Sequence, residues 1–207
     1  MSVLSRETVR LALTVAALND IDVWTADVLN AYIIAPCREK IWTTLGPEFE
    51  SDRGKKALVV RALYGLKSSG AAFRAHLQSF MKEMGYKACK ADPDLWLKEQ
   101  TDKKGKRYYA YILCYVDDLL VIHHHPKKVL DRINEYLPLK ADSVGPPEFY
   151  LGAKLKKKEF DDKTTAWGLS PAKYVQAAVK NCEAYLKDKL NGNYSLPKKA
   201  ENPFLYD

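Results

Sequence analysis

The spacing of apolar and polar positions predicts an opening helix, a run of strands and helices around one acidic hairpin, and a closing helix. Over residues 5–19, Val9, Leu13, Ala16 and Ala17 recur at helical spacing behind Ser5, a suitable N-cap, so the segment predicts a core-facing helix. Residues 23–34 read as a strand and 35–38 as a turn. Strand-like runs at 40–45 and 57–63 flank a loop at 46–54 that is rich in Gly, Pro and charge. From 71 to 84, Phe73, Leu77, Phe80, Met81 and Met84 form one stripe, with Ser68 and Ser69 as caps and Gly85 as the stop. Asp92, Pro93 and Asp94 read as turn residues leading into a strand, and 101–106 turn the chain again. A helix starts at Pro126 with Val129, Leu130, Ile133 and Leu137 inward. A long strand is expected over 148–160, returning through 161–163 to 164–168. The last helix, over 170–187, carries Tyr174, Val175, Ala178, Cys182 and Leu186 on one stripe, and 188–207 reads as a flexible tail.

The stretch 108–122 departs from this pattern, because Asp117 and Asp118 interrupt an apolar, aromatic and β-branched run. The sequence predicts a hairpin with its tip at 116–119. A turn chosen for stability alone would use Asn-Gly or Asp-Gly, whereas Asp-Asp sets two like charges side by side. A local rule broken within a consistent segment points to function, and adjacent carboxylates suit a hard divalent cation such as Mg²⁺. A solvated acidic turn is the plain alternative. A second lone carboxylate, Asp27, stands among the strand-forming residues of 23–34, with Tyr32 five positions on.

Composition sharpens the picture only a little. Thirty-three basic against 26 acidic residues in 207 give a net charge of +7, which suits a polyanionic partner without requiring one. The four cysteines are scattered with no Cys-x-x-Cys pair, as in reduced intracellular proteins, and zinc is not expected. No apolar run approaches the ~20 residues of a membrane span. Gly54-Lys55-Lys56 lacks the spacing of a phosphate loop. His123, His124 and His125, if on a strand, alternate faces and cannot easily share one ion. Lys67 either faces a phosphate at a helix start or is a solvated loop lysine. The lysines at 154 and 156–158 either hold a polyanion or guard a sheet edge against aggregation.

Three segments together carry a family resemblance. Asp27 with its neighbours, Leu-Tyr-Gly-Leu-Lys-Ser-Ser-Gly at 63–70, and Tyr-Val-Asp-Asp at 115–118 resemble motifs A, B and C of the reverse transcriptases of copia-type LTR retrotransposons. Ala-Asp-Pro-Asp-Leu-Trp at 91–96, Phe-Tyr-Leu-Gly-Ala-Lys at 149–154 and Leu-Ser-Pro-Ala-Lys-Tyr at 169–174 extend it, in the family's order, over about 170 residues.

The resemblance implies an α+β polymerase palm: an antiparallel sheet of about four strands, with helices 5–19, 71–84 and 127–137 packed mainly on its other face. Partial fingers and palm would occupy 1–169, and a thumb-like helix 170–187. It implies catalytic Asp27, Asp117 and Asp118. Two Mg²⁺ ions, or Mn²⁺, would be held chiefly by Asp27 and Asp117, with Val28 adding a backbone contact and Asp118 acting mostly through charge. Leu29, Tyr32, Gly65 and Lys67 would meet the nucleotide, Tyr32 by crowding the ribose 2′-position. Tyr115, Leu151, Gly152 and Lys154 would meet primer or template, the last three in a hairpin resembling a primer grip. The implied partners are an RNA template, a DNA or RNA primer, deoxynucleoside triphosphates and the remainder of a Pol polyprotein. No membrane is implied, and the expected location is cytoplasmic or nuclear, not secreted. Upstream fingers and a full thumb, connection and RNase H region do not appear in the sequence, so a palm-centred part of the enzyme is expected. The alternatives are a non-catalytic nucleic-acid-binding remnant, a structural domain, and another two-metal enzyme such as a nucleotide cyclase or RNA-dependent RNA polymerase. Tyr32 and motif B disfavour the last.

Overall fold

The computed structural model of the chain describes residues 4–189. Helix α1 (Arg6–Leu18) begins where the sequence predicts, with the Ser5 hydroxyl accepting the Thr8 amide. Strand β1 (Val23–Asp27) is shorter than the predicted 23–34. Asn30 takes a left-handed backbone (φ 52°) and opens a one-turn helix, α2 (Ala31–Ile34), so Tyr32 is helical. Asn tolerates that conformation through its short polar side chain. Strands β2 (Trp42–Thr44) and β3 (Lys56–Leu58) form a small separate ribbon, and a 3₁₀ turn, Pro47–Asp52, lies in the loop between them. The predicted 57–63 strand ends early.

Helix α3 (Ser69–Glu83) follows, and Gly85 (φ 81°) ends its last turn as expected. At its start the expected side-chain cap is absent at Ser68, and the Ser69 hydroxyl instead donates to the Leu63 carbonyl (2.5 Å). Strands β4 (Lys87–Ala88), β5 (Leu95–Thr101), β6 (Arg107–Tyr115) and β7 (Asp118–Ile122) come next, then α4 (Pro126–Asn134). The main sheet is antiparallel with five strands rather than about four, in the order β1-β7-β6-β5-β4.

Both faces of this sheet are buried, and here the expected layering needs correction. Ile112, Cys114, Leu119 and Val121 point to one face, against Phe73, Leu77 and Met81 of α3 and Leu130 and Ile133 of α4. Leu113, Leu120 and Ile122 point to the other, against Val9, Leu13 and Ala16 of α1. Helix α1 therefore packs opposite α3 and α4, not beside them. Because successive strand residues alternate faces, an unbroken apolar strand such as β7 requires cover on both sides. Each fully buried large side chain contributes ~1.5–3 kcal/mol, so the hairpin β6–β7 is the best-anchored part of the fold.

The predicted strand 148–160 is two strands. Leu151 (φ 50°) and Gly152 (φ 75°) make a tight turn between β8 (Phe149–Tyr150) and β9 (Ala153–Glu159), and β9 then pairs with β10 (Thr165–Ser170). Helix α5 (Ala172–Lys189) includes the start of the expected tail, and the rest of that tail lies outside the described residues. Its stripe is not buried: Tyr174 is 75% exposed, and Val175, Ala178 and Cys182 are exposed as well. No helix among the described residues is long and apolar enough to cross a membrane.

Asp92 and Asp94 are more than turn residues, since both are buried. Asp92 Oδ2 accepts from the Ser5 amide (3.1 Å) and the Thr8 hydroxyl (2.6 Å), joining the turn to α1. Asp94 pairs with Arg74 of α3 at 2.8 Å. One turn thus ties the helices on opposite sides of the sheet.

The three histidines lie in a bend after β7 rather than on a strand. His123 Nδ1 accepts the His125 amide (2.7 Å), and its Nε2 lies 3.3 Å from the Tyr108 hydroxyl. The neutral ring therefore carries its proton on Nε2. Burial, then the charges of His125, His124, Lys98 and Lys128, lower its pKa from 6.5 to about 4. Its neutral form is favoured in the fold, so this stabilisation is complete above pH 6.5 and is lost as pH falls through 4. We expect a loss of about 1–2 kcal/mol across that window, allowing for solvent screening at a half-buried site. Urea unfolding of wild type and His123→Gln at pH 7 and pH 4.5 checks this, with the variant showing the shallower dependence.

Candidate active site

The β6–β7 turn is tighter than the predicted four-residue tip. Tyr115 pairs with Asp118, leaving only Val116 and Asp117 in the turn. Val116 has φ 56°, a conformation that a β-branched residue adopts at a cost of order 1–3 kcal/mol. Strain and acidity thus coincide at the end of the most securely buried hairpin.

Strand β1 runs beside β7 with Asp27 directly opposite Asp118, so the two side chains leave the sheet on the same face. The Val28 amide donates to the Asp117 carbonyl (2.9 Å), fastening the turn to the end of β1. Burial, followed by the charges of Asp117 and Asp27, raises the Asp118 pKa above the usual carboxylate range, and Lys140 opposes the rise. Asp27 and Asp118 line a cleft of about 460 Å³ together with Thr25, Asp142, Glu148, Phe149 and Tyr150.

Lys140 is a neighbour of these carboxylates that the sequence did not mark. Its ammonium lies 2.7 Å from Asp27 Oδ2, and this contact raises its pKa. Its backbone amide donates to the Asp27 carbonyl (2.9 Å). The Ser143 hydroxyl accepts the Asp27 amide (2.9 Å) and donates to the Lys140 carbonyl (2.7 Å). No periodicity marks residues 140–143, so only the assembled pairing reveals them.

Among the described residues no group of three or more His, Cys, Asp or Glu side chains is arranged to hold a metal ion. The donor chemistry nevertheless fits a cation. Asp27 Oδ1 is buried with no hydrogen-bond partner among the described residues, and burying such an oxygen uncompensated is costly. Asp117, Asp118 and that oxygen are the groups that would hold one. The Val28 and Leu29 amides donate to the Asp117 and Pro138 carbonyls (2.9 and 2.7 Å), so of the backbone groups expected to offer contacts here the carbonyls are the ones left for them.

The other candidate residues fall into three places. Tyr32 of α2 sits between Tyr64 (ring centroids 4.7 Å apart) and the buried Phe73 (6.2 Å). Beside Tyr64, Gly65 adopts φ 94° in a turn where the Leu66 amide donates to the Leu63 carbonyl, a backbone that strains any residue with a Cβ. Lys67 is exposed just beyond it. Tyr115 is partly exposed opposite Asp118. Leu151 and Gly152 cap the β8–β9 turn, and Lys154 pairs with Phe149, whose strand lines the cleft.

The Leu151-Gly152 turn has both residues at positive φ, which Asn-Gly satisfies and leucine resists by roughly 1–2 kcal/mol. Leu151→Asn should therefore stabilise the fold by about 1 kcal/mol in urea unfolding.

An antiparallel sheet that brings an isolated aspartate opposite an Asp-Asp turn, covered by helices, defines an α+β domain with a carboxylate-centred site. The family model for reverse transcriptases (RNA-dependent DNA polymerases) matches residues 1–191, and the chain belongs to that family. It is 28% identical, over 95% of its length, to the Retrovirus-related Pol polyprotein from transposon TNT 1-94 of Nicotiana tabacum, and covers 15% of that protein. It is 26% identical, over 75%, to the Pol polyprotein from transposon RE1 of Arabidopsis thaliana, covering 10% of it. A putative transposon Ty5-1 protein of Saccharomyces cerevisiae is 26% identical over 76% of the chain, which covers 49% of that protein. The copia-type kinship expected from the motifs is thus borne out, and the chain spans a minor part of the plant polyproteins it matches.

Proposed function

We propose that the chain provides the polymerising centre of a copia-type RNA-directed DNA polymerase, which extends a primer 3′-hydroxyl on an RNA template with deoxynucleoside triphosphates. The observation that carries the reading is the juxtaposition of Asp27 with the Asp117-Asp118 turn, including a buried carboxylate oxygen without a hydrogen-bond partner among the described residues. Family membership supports the same chemistry.

Asp27 and Asp117 would hold divalent metal, Mg²⁺ or Mn²⁺, and Asp118 would deepen the negative potential beside them. Two such ions, when bound, would supply positive charge for activating the primer hydroxyl and for offsetting the negative charge of the departing pyrophosphate. The Val28 carbonyl borders the same position. Tyr32, held between Tyr64 and Phe73, excludes a ribose 2′-hydroxyl by bulk, and Leu29, Gly65 and Lys67 border the nucleotide. Tyr115, Leu151, Gly152 and Lys154 meet primer and template. Residues 1–169 act as partial fingers and palm and 170–187 as the start of a thumb, working inside the cell beside the rest of a Pol polyprotein.

The test is extension of a primed RNA template with deoxynucleotides, with and without Mg²⁺. The reading expects product that appears with Mg²⁺ and vanishes on chelation. Salt-dependent template binding without extension would support a binding remnant instead.

A further inference from the structure

We propose that Lys140 is a resident counter-cation of the acidic site, which occupies Asp27 in the metal-free protein and is displaced when a divalent ion binds. The inference rests on the metal-binding reading of Asp27, Asp117 and Asp118.

The placement of Lys140 comes first. A surface lysine that meets a carboxylate by chance is tethered only by its flexible stem. Here the main chain is fixed as well: Asp27 and Lys140 share a backbone hydrogen bond, and Ser143 bridges the Asp27 amide to the Lys140 carbonyl. The ammonium is therefore presented to Oδ2 from a backbone already locked to Asp27 itself. The side chains are 41% and 28% exposed, so the pair stands at the mouth of the cleft and its lysine end can swing into water.

Charge balance comes second. Neither Asp117 nor Asp118 has an ion-pair partner among the described residues, so one ammonium serves three carboxylates. It satisfies one oxygen of Asp27 and leaves Oδ1 buried without a partner. A compact divalent ion brings twice the charge and can accept several oxygens at once, whereas an ammonium offers three donors and a single charge. Lys140 is thus a sufficient occupant for folding and an inferior one for the site. The competing arrangement is a permanent strut, in which Lys140 stays on Asp27 whether or not metal is present.

Mg²⁺ titration of the whole chain separates the two, with calorimetry for affinity and thermal unfolding for stability, using wild type, Lys140→Met and Lys140→Arg. Displacement predicts that Lys140→Met melts below wild type without divalent metal and that Lys140→Arg does not. It also predicts that Mg²⁺ binds Lys140→Met about fivefold more tightly, because a part-exposed ion pair no longer competes. Saturating Mg²⁺ should then close the gap in melting temperature. Equal or weaker Mg²⁺ affinity in Lys140→Met overturns the proposal, as does a melting gap that Mg²⁺ leaves unchanged. If Mg²⁺ binds neither protein, the metal reading itself fails and carries this inference with it. That outcome is distinct from equal binding to both, which overturns displacement alone.

Discussion

Replacing Asp117 by Asn is expected to reduce primer extension at least about a thousandfold while leaving the fold intact. Metal-borne charge stabilisation is worth several kcal/mol of barrier, and each 1.36 kcal/mol is tenfold in rate, so under the proposed function the loss of this carboxylate reaches that scale. Asp117 is a half-buried turn residue and its carbonyl fastens β1 to the hairpin, so Asn preserves that backbone contact. Asp118→Asn supplies the internal control. Burial and the neighbouring carboxylates raise its pKa, so the fold gains stability from its protonated form. That gain is fully present below the unfolded carboxylate value of 3.8 and disappears as pH rises through the folded one. At neutral pH, Asp118→Asn should therefore raise the melting temperature in metal-free buffer even as it lowers extension. Parallel measurements of extension and melting test both halves. A variant that loses activity by unfolding would move them together, whereas a functional carboxylate moves them apart.

The second large effect concerns stability. Arg74→Met should destabilise the chain by about 3 kcal/mol, because it strands Asp94 in the interior without a partner. Burial raises the Asp94 pKa, and Arg74 opposes that rise by charge and by a hydrogen bond, so its removal leaves a carboxylate that is costly to ionise. At this size the loss corresponds to a fall of roughly 6–12 °C in melting temperature. A double change, Arg74→Met with Asp94→Leu, should recover much of it, since a buried ion pair commonly exchanges for apolar groups at little net cost. Thermal unfolding of the two variants decides this. A single variant as stable as wild type would show that water, not Arg74, compensates Asp94. Because the Asp94 carbonyl also accepts the Cys114 amide (2.9 Å), the same variant reports how far the strand leading to the acidic turn depends on that pair.

Much of this was legible from residues alone, and the failures have physical causes. Helical periodicity marked α1, α3 and α4, because each has one buried face, and the acidic interruption marked the hairpin because it broke a local rule. Periodicity cannot report a left-handed residue, so Asn30, Leu151 and Gly152 went unread and two strands came out too long. The burial of β7 on both faces hid which helix lies on which side. Asp92 and Asp94 look like any Asp-Pro-Asp turn until Ser5, Thr8 and Arg74 arrive from distant segments. Lys140 escaped for the same reason: its partner lies more than a hundred positions away. On α5 the apolar stripe was legible but its exposure was not, since a stripe records where cover fits, not that the described residues supply it.

The pairing of β1 with β7 also has a temporal side. The two strands are separated by about ninety residues, so α1 and β1 leave the ribosome long before the strand that completes their core exists. Until then Ile21, Val23 and the apolar face of α1 are open to chaperones or to neighbouring nascent chains. Asp27 meets Asp118 only when that late docking is complete, so a chain halted in synthesis carries half of the acidic site and none of its geometry.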